Sequence, residues 1–218
     1  MLDCLFLVPI DHRGIQGKLF RQYLQLQSWC DRNNSAIFTV NGLFLNFARN
    51  SLATGGKGLT DPRPPEAKWL FWIDSDIAFT IEQVEKLLSV PEEHKFCNGW
   101  YVQDSSDNAM CGMWDEDFFS TNYHMPFFSA NILTQIGQEK PDTLIEADFT
   151  GFGFTRLASS IIEQMVYPYF TLNIQELGKF RDMSFDDVSF CQNCENQTGV
   201  KPLIVPSLRV GHLKSFIV

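Results

Sequence analysis

Five consecutive apolar residues, Trp69 to Ile73, run straight into Asp74-Ser75-Asp76. A continuous apolar run bounded by polar chain is the pattern of a strand buried on both faces, so the two carboxylates stand where that strand ends. In open α/β sheets that edge is where ligands collect. Residues two apart on a strand point the same way, which predicts that Asp74 and Asp76 face one cation, or one metal-bound phosphate, together. Taken alone, such a pair serves a turn about as often, because Asp side chains bond nearby backbone amides.

The rest of the chain narrows the choice. Its 218 residues suit one well-buried domain, read as 1–218. A formal net charge of -9 disfavours nucleic acid or an anionic membrane surface as partner, and a bound phosphate compound then calls for a cation. No segment approaches the length of a membrane span, and the opening Met1-Leu2-Asp3-Cys4 lacks a basic leader, so a soluble cytoplasmic protein is expected. The six cysteines are scattered, several inside apolar runs as buried thiols are, and Cys191-Gln192-Asn193-Cys194 has no second pair at zinc-site spacing. A reducing compartment follows.

Apolar runs alternate with amphipathic stretches, the signature of an α/β sandwich. Strands are predicted over residues 5–10, 36–40, 69–73, 95–102, 109–114, 144–149 and 203–205. Helices are predicted over 18–31, over 43–54 from Asn41 to the stop at Gly55-Gly56, after Thr80 with Gln83 completing a capping box, over 157–166, and over 187–196 opened by Ser184. Two long loops, 55–68 and 103–108, read as lids or binding loops.

Four signals follow one another along this framework. Val8-Pro9-Ile10-Asp11-His12-Arg13 supplies a turn with an acid suited to a base or ribose. Asp74-Ser75-Asp76 supplies carboxylates, and Gly151-Phe152-Gly153 lets backbone approach a ligand closely. Phe185-Asp186-Asp187 opens a helix, and Gly211-His212-Leu213-Lys214 lies near the end. Each has an ordinary structural explanation: a turn, a helix dipole, a hydrogen-bonded core histidine.

Their order resembles the GT-A family of nucleotide-sugar glycosyltransferases, whose marks are a DxD at a strand end, a glycine-rich loop, an xED segment opening a helix and a C-terminal histidine. One departure is visible, Asp186 where the family has Glu. Within that family the chain also looks like the amino-terminal glycosyltransferase domain of chlorella-virus proteins that decorate capsid glycans. The resemblance implies a single α/β domain of GT-A type, with a central mixed, mostly parallel sheet flanked by helices, 1–110 mainly nucleotide-binding and 111–218 mainly concerned with sugar and acceptor.

It also implies a chemistry. Asp76 and His212 would ligate Mn²⁺ or Mg²⁺, with Asp74 ligating or bonding the ribose beside Ser75, and the ion would offset charge on the departing diphosphate of a UDP-sugar. Arg49 would bridge the nucleotide and the first acid of the DxD, and Pro9 and Asp11 would contact the base. Lys214 would reach the diphosphate, or else remain a solvated lysine. Asp187, assisted by Asp186, would take the proton of an acceptor hydroxyl on a glycan or glycoprotein if the reaction inverts, or position a substrate if it retains. Trp100 is a candidate sugar platform beside Gly151 and Gly153, whereas Trp69 and Trp72 read as core.

Two other classes fit parts of the pattern. A phosphohydrolase that attacks through the first acid of a DxD would want Thr or Val at position 78, where Ala stands, and would have its DxD on the first strand. A non-catalytic carbohydrate- or nucleotide-binding module would need neither Asp187 nor a metal. The apolar ending Phe216-Ile217-Val218 leads us to expect either further domains beyond Val218 or a partner at that point.

Overall fold

The computed structural model describes residues 1–10, 14–42, 44–103 and 106–213. Fourteen strands run in order: β1 Leu2–Ile10, β2 Ser35–Asn41, β3 Ala67–Ile73, β4 Ile77–Ala78, β5 Phe96–Trp100, β6 Asn108–Gly112, β7 Phe127–Ser129, β8 Ile145–Glu146, β9 Phe149–Thr150, β10 Phe154–Ala158, β11 Ile174–Leu177, β12 Phe180–Met183, β13 Leu203–Arg209 and β14 Gly211–His212. The α-helices are α1 Phe20–Cys30, α2 Leu45–Ala53, α3 Ile81–Leu88, α4 Glu116–Asn122, α5 Ala130–Glu139, α6 Ser159–Ile162 and α7 Asp186–Thr198.

Seven strands form the main sheet in the order β2-β1-β3-β10-β5-β13-β8. β1 pairs parallel with both β2 and β3, and β5 with β13, while β10 and β8 run against their neighbours. The sheet is mixed, with most strands parallel to β1. β1 and β3 explain its depth. Cys4, Phe6 and Val8, with Trp69, Phe71 and Ile73, pack on one side with Tyr23, Leu26 and Trp29 of α1 and Val84 and Leu87 of α3. Leu5, Leu7, Leu70 and Trp72 enter the opposite cluster with Leu52 of α2, Ile161 of α6 and Phe190 of α7. Alternate residues of one apolar run thus fill two cores, which is why those strands carry no polar face.

The capping box holds: Thr80 Oγ1 accepts from Gln83 N at 3.3 Å, and Gln83 Oε1 accepts from Thr80 N at 2.8 Å. Other expectations need correction. Residues 154–158, part of which was assigned to a helix, form β10 in the middle of the sheet, and only Ser159–Ile162 is helical. α2 is capped by Phe44 without a side-chain bond, not by Asn41. α7 begins at Asp186 and is not capped by Ser184, whose hydroxyl donates to Asn173 O at 3.3 Å. The loop 103–108 lies partly outside the described residues.

Candidate active site

β3 stops at Ile73, and Asp74 to Asp76 form a tight turn in which Ile77 N donates to Asp74 O at 3.0 Å. Because the pair sits in a turn and not on the strand, its side chains part. Asp74 points to α2, where Arg49 donates through Nη2 to Oδ2 at 3.0 Å and Oδ1 at 3.3 Å. Asp76 turns to β14, where His212 Nε2 lies 3.3 Å from its Oδ2. β14 reaches that position by pairing antiparallel with β4, His212 opposite Ile77, while Leu213 N donates to Asp76 O at 2.8 Å. Residues 136 apart in sequence therefore meet through two short strands.

Arg49 is the hub. It is 2% exposed, and its Nη1 donates to Asp186 Oδ2 at 2.9 Å, so one guanidinium ties the turn after β3 to the start of α7. Its carbon lies 5.6 Å from the Phe152 ring centre and 5.9 Å from that of Phe170. Burial pulls the Arg49 pKa down, but Asp74, Asp186 and Asp187 more than offset it, and the group stays charged.

Asp186, in the position where the resembling family has Glu, is buried in this ion pair. Asp187 is less enclosed, and its Oδ1 accepts from Val188 N at 2.8 Å. Burial raises the Asp187 pKa to about 6; Arg49 opposes this and Asp186 reinforces it. Asp74 is raised by burial too, with Arg49 again opposing.

Among the described residues no three His, Cys, Asp or Glu side chains stand together as a ready metal site, and both oxygens of Asp74 face Arg49, which favours its place in the surrounding shell over direct ligation. Asp76 and His212 do fit a shared ion. Ligands at about 2.1 Å and a right angle stand about 3 Å apart, close to the separation found here. The other His212 ring nitrogen, Nδ1, is buried and has no hydrogen-bond partner among the described residues.

The glycine pair acts differently from expectation. A Cβ on Gly151 would lie 2.4 Å from Tyr101 Oη, and one on Gly153 would lie 2.8 Å from Tyr101 Cε1. The missing side chains admit the Tyr101 ring first, although Gly151 also reaches the cavity beside Asp187. The Tyr101 ring lies tilted against the His212 ring, 5.4 Å between centres, and burial, then Asp74 and Asp187, raise its pKa well above the ordinary value. Tyr23 also reaches the turn, donating to Asp74 O at 3.3 Å. Sequence reasoning missed both tyrosines. Tyr101 could have been found from the neighbouring Asn98-Gly99-Trp100-Tyr101 segment, where the wrong aromatic was favoured.

That aromatic, Trp100, is corrected: it is 2% exposed, its Nε1 donates to Pro206 O at 2.8 Å, and Arg209 covers the ring at 5.2 Å. Neither face is free for a sugar. Ser75 is buried in the turn, and Pro9 is buried at the end of β1 opposite Val40. Asp11 and Lys214 lie outside the described residues.

All six cysteines are buried and unpaired. Among the described residues no helix is long and apolar enough to cross a membrane.

No family model matches the sequence, and no curated protein matches it, so the likeness to chlorella-virus domains has no support at the level of sequence. Solved structures do match. The viral protein A197 from STIV superposes over 99% of this chain and 87% of its own, with a TM-score of 0.57 at 14% identity. GalNAc-T7, solved with UDP, GalNAc and Mn²⁺, superposes over all of this chain and 45% of its own, with a TM-score of 0.55 at 11% identity. At such identities the likeness speaks of architecture alone, and the architecture of this chain is of the GT-A type.

Proposed function

We propose that the protein is a divalent-metal-dependent glycosyltransferase that moves a hexose or deoxyhexose from a UDP-sugar to a hydroxyl of a glycan or glycoprotein acceptor. The observation that carries this reading is the gathering of four separate chain segments at one sheet edge: Arg49 joins Asp74 to Asp186 beside Asp187, while Asp76 faces His212. The fold supports it, since the similar GalNAc-T7 carries UDP and Mn²⁺. A phosphohydrolase is disfavoured because its first acid must be free to attack phosphorus, and here Arg49 grips both oxygens of Asp74.

Asp76 and His212 would hold Mn²⁺ or Mg²⁺, which when bound supplies positive charge to the diphosphate as the bond to the sugar breaks. Asp74, fixed by Arg49, is placed to orient the donor and the ligand shell instead of reacting. In the transfer, the bond between the anomeric carbon and the phosphate oxygen breaks and its electron pair leaves with UDP. A new bond forms from the acceptor oxygen to that carbon, and Asp187 takes the hydroxyl proton if the reaction inverts. A base with a pKa near 6 is ionised at neutral pH and still able to accept a proton in the transition state. Asp186 positions its neighbour by anchoring the first turn of α7 to Arg49. Lys214 stays a candidate for the diphosphate, and Pro9 and Asp11 for the base. Further domains beyond Val218 and a setting in capsid-glycan synthesis belong to the same proposal.

The test is thermal unfolding with UDP, GDP, CMP and their sugars, each with and without Mn²⁺, because a ligand that binds only the native state raises its melting temperature. A shift that needs both UDP and the metal supports the reading. No shift with any nucleotide refutes it.

A further inference from the structure

A cavity of about 430 Å³ opens beside Asp186 and Asp187, within the range of about 300–1,000 Å³ in which small-molecule sites fall. Met110, Trp114, Phe119, Met125, Phe127 and Phe149 give it a largely apolar wall. Polar side chains reach the same wall, and several of their atoms already have partners in the protein. Gln175 Nε2 donates to Ser184 Oγ at 3.0 Å and to Gln192 Oε1 at 2.7 Å. Asp182 Oδ1 accepts from Met183 N at 2.7 Å, and His124 Nδ1 lies 2.8 Å from Met125 O. Asp186 is held by Arg49. At the mouth stand Leu45 and Phe185, 44% and 78% exposed, where a solvated surface would carry polar residues.

A fully hydroxylated sugar set against this wall would leave hydroxyls desolvated without partners, which disfavours binding. An aromatic ring would instead find edges and faces of Phe127 and Phe149, themselves packed edge to face at 5.5 Å, and polarizable Met sulfur. We propose that the cavity receives an aryl aglycone of the acceptor: the reacting hydroxyl belongs to a sugar joined to an aromatic group, and that group occupies the wall while the sugar hydroxyl reaches Asp187. This rests on the reading of Asp187 as the group that meets the acceptor.

The experiment uses the full chain with UDP and Mg²⁺, the diamagnetic ion, and 4-nitrophenyl and methyl β-glucosides and β-galactosides as probes. Saturation-transfer NMR is expected to show the aryl protons in contact with the Met110 and Met125 methyl groups. The aryl glycosides should bind about tenfold or more tightly than the methyl glycosides. Met125→Gln, which keeps side-chain length and adds an amide, should bring the aryl affinity down toward that of the methyl glycoside while UDP affinity is kept. The wild-type contacts to the methionine methyls give the same answer without relying on a variant. Equal affinity for aryl and methyl glycosides with UDP bound, or aryl contacts away from the two methionines, overturns the proposal and leaves the glycosyltransferase reading standing. Failure to bind UDP at all overturns that reading, and the acceptor assignment falls with it.

Discussion

Asp187→Asn separates the demands of chemistry from those of folding. In the folded protein burial raises the Asp187 pKa from its ordinary 3.8 to about 6, with Arg49 opposing and Asp186 adding to the rise. Between those two values the folded state keeps a proton that the unfolded chain has lost. The stabilisation from this proton is therefore complete below the unfolded pKa and is lost as pH rises through about 6. A shift of about two units corresponds to roughly 3 kcal/mol, an upper figure because the carboxylate retains some solvent. Asn mimics the protonated acid and can accept the same bond from Val188 N. The variant should match wild type near pH 4 and exceed it by about 1–3 kcal/mol at pH 7.5. Urea unfolding at half-unit pH steps, with EDTA present so that no ion adds charge, measures the difference, in which other titrations cancel. The same variant should keep UDP binding and lose transfer. A stability difference that stays flat between pH 4 and 7.5, or an Asn variant weaker at pH 7.5, would refute the electrostatic reasoning.

Four further outcomes follow from the geometry. Arg49→Met leaves the buried Asp74 and Asp186 without their cation and should cost about 3–5 kcal/mol by urea unfolding, with Arg49→Lys unable to reach both acids. His212→Ala should abolish the Mn²⁺-dependent part of the UDP-induced melting shift, and a metal-dependent shift that survives would remove His212 from the ion site. Gly151→Ala should destabilise by about 1–3 kcal/mol through its contact with the Tyr101 hydroxyl, and Tyr101→Phe should recover part of that loss. The same Tyr101→Phe change should not rescue Gly153→Ala, whose Cβ meets the Tyr101 ring and Ile77. Thr80→Ala should cost about 1 kcal/mol by opening the capping box at α3.

The sequence was most legible where one local pattern decides the structure. β1 and β3 follow from unbroken apolar runs, α3 from its cap, and the GT-A arrangement from the order of short motifs. It was least legible where a polar residue is buried by distant backbone. β10 carries Arg156 in the centre of the sheet, and no local pattern announces that its guanidinium will donate to Leu88 O at 3.2 Å and Val90 O at 2.5 Å and stack on Trp69 at 4.1 Å. The apolar spacing of residues 157–166 reads as a helix, and only the pairing of β10 with β3 and β5 makes 157 and 158 strand. The β11–β12 hairpin was missed because its turn rests on a single glycine, Gly178, at φ 61°. The site shows the same division. Asp76, His212, Arg49 and Asp187 were each named from sequence, and the contact of Arg49 with the first acid of the pair was implied by the resemblance, whereas the parting of Asp74 from Asp76 depends on the strand ending one residue before the acids. Period-two reasoning then no longer applies.

If the donor is a nucleoside diphosphate sugar, as proposed, the charges at this edge call for a cation. Asp74, Asp186 and Asp187 all act on the single buried guanidinium of Arg49, and Asp74 and Asp187 are both raised because it does not fully offset their burial and mutual repulsion. Asp76 adds a further carboxylate one turn away. A nucleoside diphosphate brings more negative charge to a molecule already at -9. Like charges a few ångströms apart inside a low-dielectric site repel by several kcal/mol. On the proposed reading, Asp76 and His212, spaced as two ligands of one ion would be, are where a divalent cation would remove that repulsion; with Arg49 already tied to the acids, donor binding without the ion is expected to be weak at any UDP-sugar. Rising ionic strength alone should not replace the ion, because screening acts on exposed charges and these are enclosed. UDP binding restored by 0.5 M NaCl in EDTA would show that the site needs only general screening and would remove the case for a bound metal.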